Sequence, residues 1–159
     1  MIAAGTRAPE FALRNQDGEK ISLAELRGSR VLLIFYPADF SPVCNDQLSV
    51  YQEVLGDFEA KNVKPIGISV DGAFCHRAFA DKLATTIPLL SDFNPRGAVA
   101  ASYGAFLEQR GHTNRSLVLI DPDGVVAWSH QGPILEVPGA NLIFDAIEAL
   151  DGGPASSPG

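Results

Sequence analysis

The chain has 159 residues, enough for one ordinary domain with a buried core and no need of disulfide staples. Its 46% hydrophobic and 19% charged content is that of a soluble globular protein, and a net charge of -7 leaves no basic footprint for nucleic acid or an anionic membrane. No apolar run approaches the roughly 18 residues that span a bilayer, and the opening Met1-Ile2-Ala3-Ala4-Gly5-Thr6-Arg7 lacks the charged-then-apolar layout of a secretory signal. A cytoplasmic location without nucleic-acid or membrane partners is therefore expected.

In chain order, residues 10–13 and 20–23 flank the turn Asn15-Gln16-Asp17-Gly18 and predict a short hairpin. Val31-Leu32-Leu33-Ile34-Phe35-Tyr36 is an unbroken apolar run, as a central strand covered on both faces requires, and it stops at Pro37. Beyond a short loop, Leu48, Tyr51, Leu55 and Phe58 recur at helical spacing, with Gly56 as the breaker. Residues 65–70 predict a second buried strand and residues 73–83 a helix with Phe74, Ala78 and Phe79 on one face. A strand–helix–strand of this length implies a right-handed crossover between parallel neighbours.

A short helix is expected across residues 95–103. Residues 117–120 and 125–128 surround Asp121-Pro122-Asp123-Gly124, a hairpin signal, and residues 141–150 make a closing helix. This order is that of an α/β thioredoxin-like sandwich: a central mixed β-sheet flanked by helices, with an N-terminal β-hairpin. Residues 1–150 form a single domain on this reading, and 151–159 a flexible C-terminal tail.

Ser41-Pro42-Val43-Cys44 reads as a helix start. Ser41 is a favoured N-cap, Pro42 suits the first helical position, and Cys44 falls third, facing unpaired backbone N–H groups and the positive end of the helix dipole. Both favour thiolate over thiol, the form that reacts. The position also lies beyond the carboxyl end of a buried strand, where open α/β sheets place their reactions. An inert buried spacer in a first helical turn is the plainer alternative. The chain's two cysteines do not make a structural disulfide framework in the cytoplasm; they are small hydrophobes or working thiols.

What separates these alternatives is the whole segment Phe35-Tyr36-Pro37-Ala38-Asp39-Phe40-Ser41-Pro42-Val43-Cys44. It resembles the active-site loop of the peroxiredoxins, whose signature is Pro, three residues, Thr or Ser, two residues, Cys. Pro37, Ser41 and Cys44 match at that spacing. Residues 5–13, Pro88-Leu89-Leu90-Ser91-Asp92, Tyr103-Gly104 and residues 114–121 resemble further segments of the family. In wider sequence the chain is most similar to the alkyl hydroperoxide reductase E-like and bacterioferritin-comigratory-protein-like branch.

The resemblance implies a thiol-dependent peroxidase that reduces hydrogen peroxide and organic hydroperoxides, without cofactor or metal. It casts Cys44 as the peroxidatic nucleophile that becomes a sulfenic acid, Ser41 as the hydroxyl that orients the peroxide and Pro37 as a shield for the sulfur. Arg115 becomes the arginine that holds thiolate and peroxide oxygens together. A strand from Ser116 running antiparallel to the strand from Val31 would itself bring Arg115 towards Cys44; a solvated strand-edge arginine is the alternative. Two positions depart from the family pattern. Ser41 replaces the commoner Thr and loses the methyl that restricts its rotamer, and Gln47 stands where many similar chains carry Glu.

Branches of the family resolve the sulfenic acid differently. The position five residues after Cys44 is Ser49, and no cysteine lies near the C-terminus. The resemblance leaves Cys75 as the resolving partner in an intramolecular Cys44–Cys75 disulfide. Alternatively Cys75 is an inert packing residue, and an external thiol, thioredoxin-like or of low molecular weight, completes the cycle. Asp71 is expected to cap the helix that carries Cys75. The neighbouring His76 invites a metal reading, but one Cys–His pair offers too few ligands. A thioredoxin-type oxidoreductase would need C-x-x-C, which Cys44-Asn45-Asp46-Gln47 lacks; a non-catalytic redox sensor or holdase on the same fold stays open. Phe40, Phe74 and Phe106 are candidates for a homodimer face.

Overall fold

The apolar run 31–36 sits at the centre of a sheet, with helices covering one face and the N-terminal segment and a short helix covering the other. A computed structural model describes residues 1–152; the expected tail, apart from Asp151 and Gly152, lies outside the described residues. The elements run β1 (Ala12–Arg14), β2 (Lys20–Ser22), a single 3₁₀ turn (Ala24–Leu26), β3 (Arg30–Phe35), α1 (Pro42–Glu53), α2 (Leu55–Ala60), β4 (Val63–Ser69) and α3 (Ala73–Leu83). They continue with β5 (Leu89–Ser91), α4 (Ala98–Ser102), β6 (Phe106–Leu107), β7 (His112–Thr113), β8 (Arg115–Ile120), β9 (Val126–Gly132) and α5 (Ala140–Leu150).

Five strands pair in the order β5-β4-β3-β8-β9. The crossover through α1 and α2 makes β3 and β4 parallel, with Phe35 opposite Ile68, and β5 extends the parallel side. Strands β8 and β9 are antiparallel, and Phe35 pairs with Ser116. Alternation along β3 divides the core in two. Leu32, Ile34 and Tyr36 pack with Cys44, Leu48 and Tyr51 of α1, Phe58 of α2, Phe79 of α3 and Ile143 and Ile147 of α5. Val31, Leu33 and Phe35 face Phe11, Ala100, Tyr103 and Val118. The expected mixed-sheet sandwich and N-terminal hairpin are thus the observed architecture.

Four details differ from expectation. Helix α3 turns only Phe79 of its expected face into the core, beside His76 and Ala80, and leaves Phe74 and Ala78 exposed. The helical stretch after Cys44 breaks at Val54 (φ -104°, ψ 16°), and Gly56 lies inside α2. Periodicity was carried by apolar residues on both sides of the break, which hid it. The helix expected over 95–103 is shorter, Ala98–Ser102, and begins after Gly97 at φ 72°. The two-residue ribbon β6–β7 was not foreseen, since strands this short leave no pattern to read.

Candidate active site

Strand β3 hands the chain to the site through one last ladder bond, from the Tyr36 N–H to the Ile68 carbonyl at 3.2 Å. Pro37 has no N–H to continue it, so the backbone turns away. The loop 37–41 leads into α1, whose first turn holds Cys44 fully buried. Because Phe35 pairs with Ser116, Arg115 falls just past the end of β3 and beside that turn. The neighbouring strand is antiparallel, as that approach requires, and Arg115 is no solvated edge residue: it is 1% exposed.

Each nitrogen of its guanidinium has a partner. Nη2 lies 3.3 Å from Cys44 Sγ, Nη1 donates to Gln47 Oε1 at 2.6 Å, and Nε donates to the Ile134 carbonyl at 2.7 Å. Gln47 sits one turn after Cys44, so a single helix face presents both the sulfur and the amide to the arginine. The Gln47 Nε2 group donates to Tyr51 Oη at 3.3 Å, and Tyr51 donates to the Pro138 carbonyl at 2.7 Å. Burial pushes the Tyr51 phenol up to about 12, while the bond from Gln47 and the Arg115 charge act the other way. Among the described residues no carboxylate forms a salt bridge with Arg115.

Ser41 occupies the N-cap position with extended backbone (φ -70°, ψ 143°), and its carbonyl accepts the Asn45 N–H at 2.9 Å. The expected side-chain cap is absent. The residue is half-buried, and its hydroxyl oxygen is closed from solvent with no hydrogen-bond partner among the described residues. Pro37 is buried at the start of the same loop. The structure therefore gathers Cys44, Arg115, Ser41 and Pro37 at one end of the sheet. A sulfur, a fixed cation and an unsatisfied hydroxyl can together attack and orient a small polar oxidant.

Cys75 stands apart, half-buried in the first turn of α3, and the two cysteines are not joined. Its thiol is pushed up to about 12, first by burial, then by a hydrogen bond to Asp39 and the carboxylates of Asp39 and Asp71. Asp71 does not cap α3; that position is Gly72. Asp71 Oδ2 instead accepts the Asp39 N–H at 2.8 Å and the Ser69 hydroxyl at 2.5 Å, bonds that draw it back over the strand end. Donor atoms of Asp39, Asp71 and Cys75 lie within 4.8 Å of one another, but both carboxylates are already occupied by hydrogen bonds. His76 also meets Asp39, through Nδ1, and reaches the Leu90 carbonyl through Nε2.

Of the aromatics expected at a homodimer face, Phe74 is 95% and Phe40 45% exposed. Phe106 is not exposed in that sense. It packs half-buried against the second core, its ring closed over Gly97. Among the described residues no helix is long and apolar enough to cross a membrane. Residues that the sequence did not single out as site residues are Gln47, Tyr51, Asp39 and His76. Gln47 is visible there only as a departure from a family pattern, His76 only through a metal reading that is set aside, Tyr51 only as part of an apolar helix face and Asp39 only as a member of the loop segment.

Comparison with known proteins agrees with this fold. Residues 4–129 match the AhpC/TSA family. The chain is 36% identical over 151 residues to alkyl hydroperoxide reductase E of Mycobacterium tuberculosis, covering 94% of this chain and 99% of that protein. It is 32% identical over 155 residues to a peroxiredoxin of Thermoplasma volcanium, covering 94% of this chain and 75% of the relative. Among solved structures, peroxidoxin BcpB from Mycobacterium tuberculosis superposes with a TM-score of 0.84 at 26% identity over 94% of this chain and 99% of that one. The AhpC of Enterococcus faecalis shares the fold with a TM-score of 0.88 at 24% identity, over 95% of this chain and 93% of that one. With loop spacing, sheet topology and relatives in agreement, the chain belongs to the AhpC/TSA family, among the peroxiredoxins.

Proposed function

We propose that this peroxiredoxin reduces hydrogen peroxide and organic hydroperoxides through a sulfenic acid at Cys44, with Arg115, Ser41 and Pro37 completing the site. The observation that carries the reading is the buried Arg115 guanidinium 3.3 Å from Cys44 Sγ, with no carboxylate among the described residues to balance it. A buried, unpaired charge costs several kcal/mol. A thiolate at Cys44 supplies the missing anion, and the same ion pair is the nucleophile the chemistry needs.

The thiolate attacks one oxygen of the hydroperoxide, and an S–O bond forms as the O–O bond breaks. Sulfur loses two electrons, the peroxide gains them, and water or an alcohol leaves once its oxygen is protonated. Negative charge passes from sulfur to the leaving oxygen during this step. Arg115 follows it with N–H donors already fixed in place, and the free Ser41 hydroxyl holds the second peroxide oxygen. Pro37, buried beside the loop, limits water at the sulfur.

The cycle closes when a thiol condenses with the sulfenic acid, releases water and leaves a disulfide. Two routes are open to that step. In one, Cys75 is the partner and Cys44–Cys75 forms within the chain. In the other, a thioredoxin-like or low-molecular-weight thiol reacts directly. The surroundings of Cys75 favour the second: a thiol pushed up to about 12 is a poor attacking nucleophile at neutral pH.

Cys44→Ser should abolish peroxide consumption, and persistence of activity in that variant would refute the assignment. Intact mass after one equivalent of peroxide separates the routes. Loss of two hydrogens in wild type, absent in Cys75→Ser, identifies the internal disulfide; a sulfenic acid trapped by dimedone in both identifies the external route.

A further inference from the structure

A second buried polar cluster lies behind the loop that carries Pro37 and Ser41, and peroxide chemistry as described makes no use of it. Its centre is Asp39, whose carboxylate is fully buried. Tyr36 Oη donates to Asp39 Oδ1 at 2.6 Å, and His76 Nδ1 lies 2.7 Å from Asp39 Oδ2. His76, itself fully buried on α3, is held from the far side by Nε2, 3.0 Å from the Leu90 carbonyl on β5. The Asp39 N–H adds a bond to Asp71 Oδ2 at 2.8 Å. A five-residue loop is thus fastened to the ends of β3 and β4, to α3 and, through His76, to β5. None of Tyr36, Asp39 and His76 hydrogen-bonds to Cys44, Ser41 or Arg115.

The residue after Asp39 explains what such fastening is for. Phe40 has a φ of 66°, a left-handed backbone that bulky side chains rarely adopt. Its ring rests on Phe79, one turn along α3 from His76, with centroids 5.1 Å apart. A residue in this region keeps its conformation only where the surroundings over-determine it. Ser41 follows immediately, so the direction of its unpartnered hydroxyl depends on the Phe40 backbone staying where it is.

We propose that Tyr36, Asp39 and His76 are positioning residues for peroxide reduction: the His76–Asp39 bond holds the loop so that Phe40 stays left-handed and Ser41 presents its hydroxyl beside Cys44. The inference rests on Cys44 being the peroxidatic thiol. It concerns residues that touch neither substrate nor sulfur and act only through the loop.

Two variants of one residue separate the roles of its two bonds. In His76→Asn the amide nitrogen can take the place of Nδ1 and keep Asp39. In His76→Gln it reaches the place of Nε2 and keeps only the Leu90 carbonyl. Both remove the ring from the same packing site. The rate of Cys44 oxidation by hydrogen peroxide is measured by quenched mass spectrometry, beside alkylation of Cys44 by iodoacetamide, which needs no oriented peroxide. His76→Gln should lower the peroxide rate about tenfold or more while alkylation stays within about threefold, and His76→Asn should keep both within about threefold. Tyr36→Phe, which preserves shape, should slow peroxide reaction selectively by a few-fold, and it decides the matter should His76→Gln not fold. Wild-type peroxide rates in His76→Gln or Tyr36→Phe overturn the proposal, as does parallel loss of peroxide reaction and alkylation in both His76 variants. A wild-type Cys44 inert to peroxide overturns instead the assignment beneath it.

Discussion

Arg115 brings a permanent positive charge to a site closed from solvent and meets there a carbonyl, an amide and a sulfur. Two of these are neutral, so the sulfur decides whether the charge is balanced. Arg115→Ala should therefore lower kcat/KM for hydrogen peroxide by about two to three orders of magnitude, the usual loss when one fixed donor to developing charge is removed. Arg115→Lys keeps the charge but not the fork that reaches Gln47 and Cys44 at once, and should recover only part of the rate. Gln47→Leu leaves the cation in place and frees Nη1; about a tenfold loss is expected if the amide serves to aim the guanidinium. At Cys75 the raised thiol implies little thiolate between pH 7 and 9. In a Cys44→Ser background its alkylation at pH 8 should be at least about tenfold slower than in the urea-unfolded chain, and equal rates would contradict its carboxylate surroundings. Legibility at this scale followed locality. Pro37, Ser41 and Cys44 lie on one short stretch of chain, a loop and the helix turn it feeds, and are readable by their spacing. Arg115 was reachable only through a conditional strand pairing. The Asp39–His76 bond joins residues 37 apart and left no trace in periodicity or motif.

Elements are stopped by backbone conformations that the residue type does not always suit. Helix α3 ends at Ala84 with φ 52° and ψ 39°, where its N–H closes the last turn onto Ala80 and Asp81. A left-handed C-cap is the position where glycine loses nothing, so Ala84→Gly should raise stability by about 0.5–1 kcal/mol, read from the urea midpoint. The opposite holds at Gly97, where φ is 72° and an added Cβ would sit 2.3 Å from the Phe106 ring. Gly97→Ala should cost about 2–3 kcal/mol, because strain and overlap act together. Neither site could be read from composition. Ala84 is a strong helix former placed where the helix must stop, and Gly97 matters only because Phe106 folds onto it from beyond α4. The Val54 break between α1 and α2 is equally unmarked, since Phe58 of α2 packs edge-on against Tyr51 of α1 and the apolar pattern runs on across it. Longer elements with strong periodicity, β3, β4, α1, β8 and α5, are legible because their apolar pattern and their burial coincide, whereas on α3 the expected face buries only Phe79.

At the scale of the molecule, two features bear on behaviour in solution. A homodimer that covers Phe74 and Phe40 is the expectation from their exposure. Sedimentation velocity over a concentration series should show a species above monomer that weakens in Phe74→Ser; a monomer at every concentration ends that reading. The other is the response to alkaline pH. Tyr36, Tyr51 and Tyr103 all have phenols raised by burial, and the Cys75 thiol is raised as well. A group whose folded value lies above its unfolded value binds its proton more tightly in the native state. Its contribution to stability is therefore whole below the unfolded value, about 9–10 for these groups, and is lost as pH rises through the folded value. The four act in the same direction, and three of them are anchored to parts that meet at or near the site: Tyr36 to the loop, Tyr51 to Gln47 and Pro138, Cys75 to Asp39. Urea midpoints should consequently stay level with respect to these groups from pH 7 to 9 and fall steeply by pH 11. Tyr51→Phe should make that fall shallower, since one titrating group leaves both states. An unchanged midpoint at pH 11 would mean that the phenols ionise in the folded chain as freely as in water, which their burial on this fold forbids.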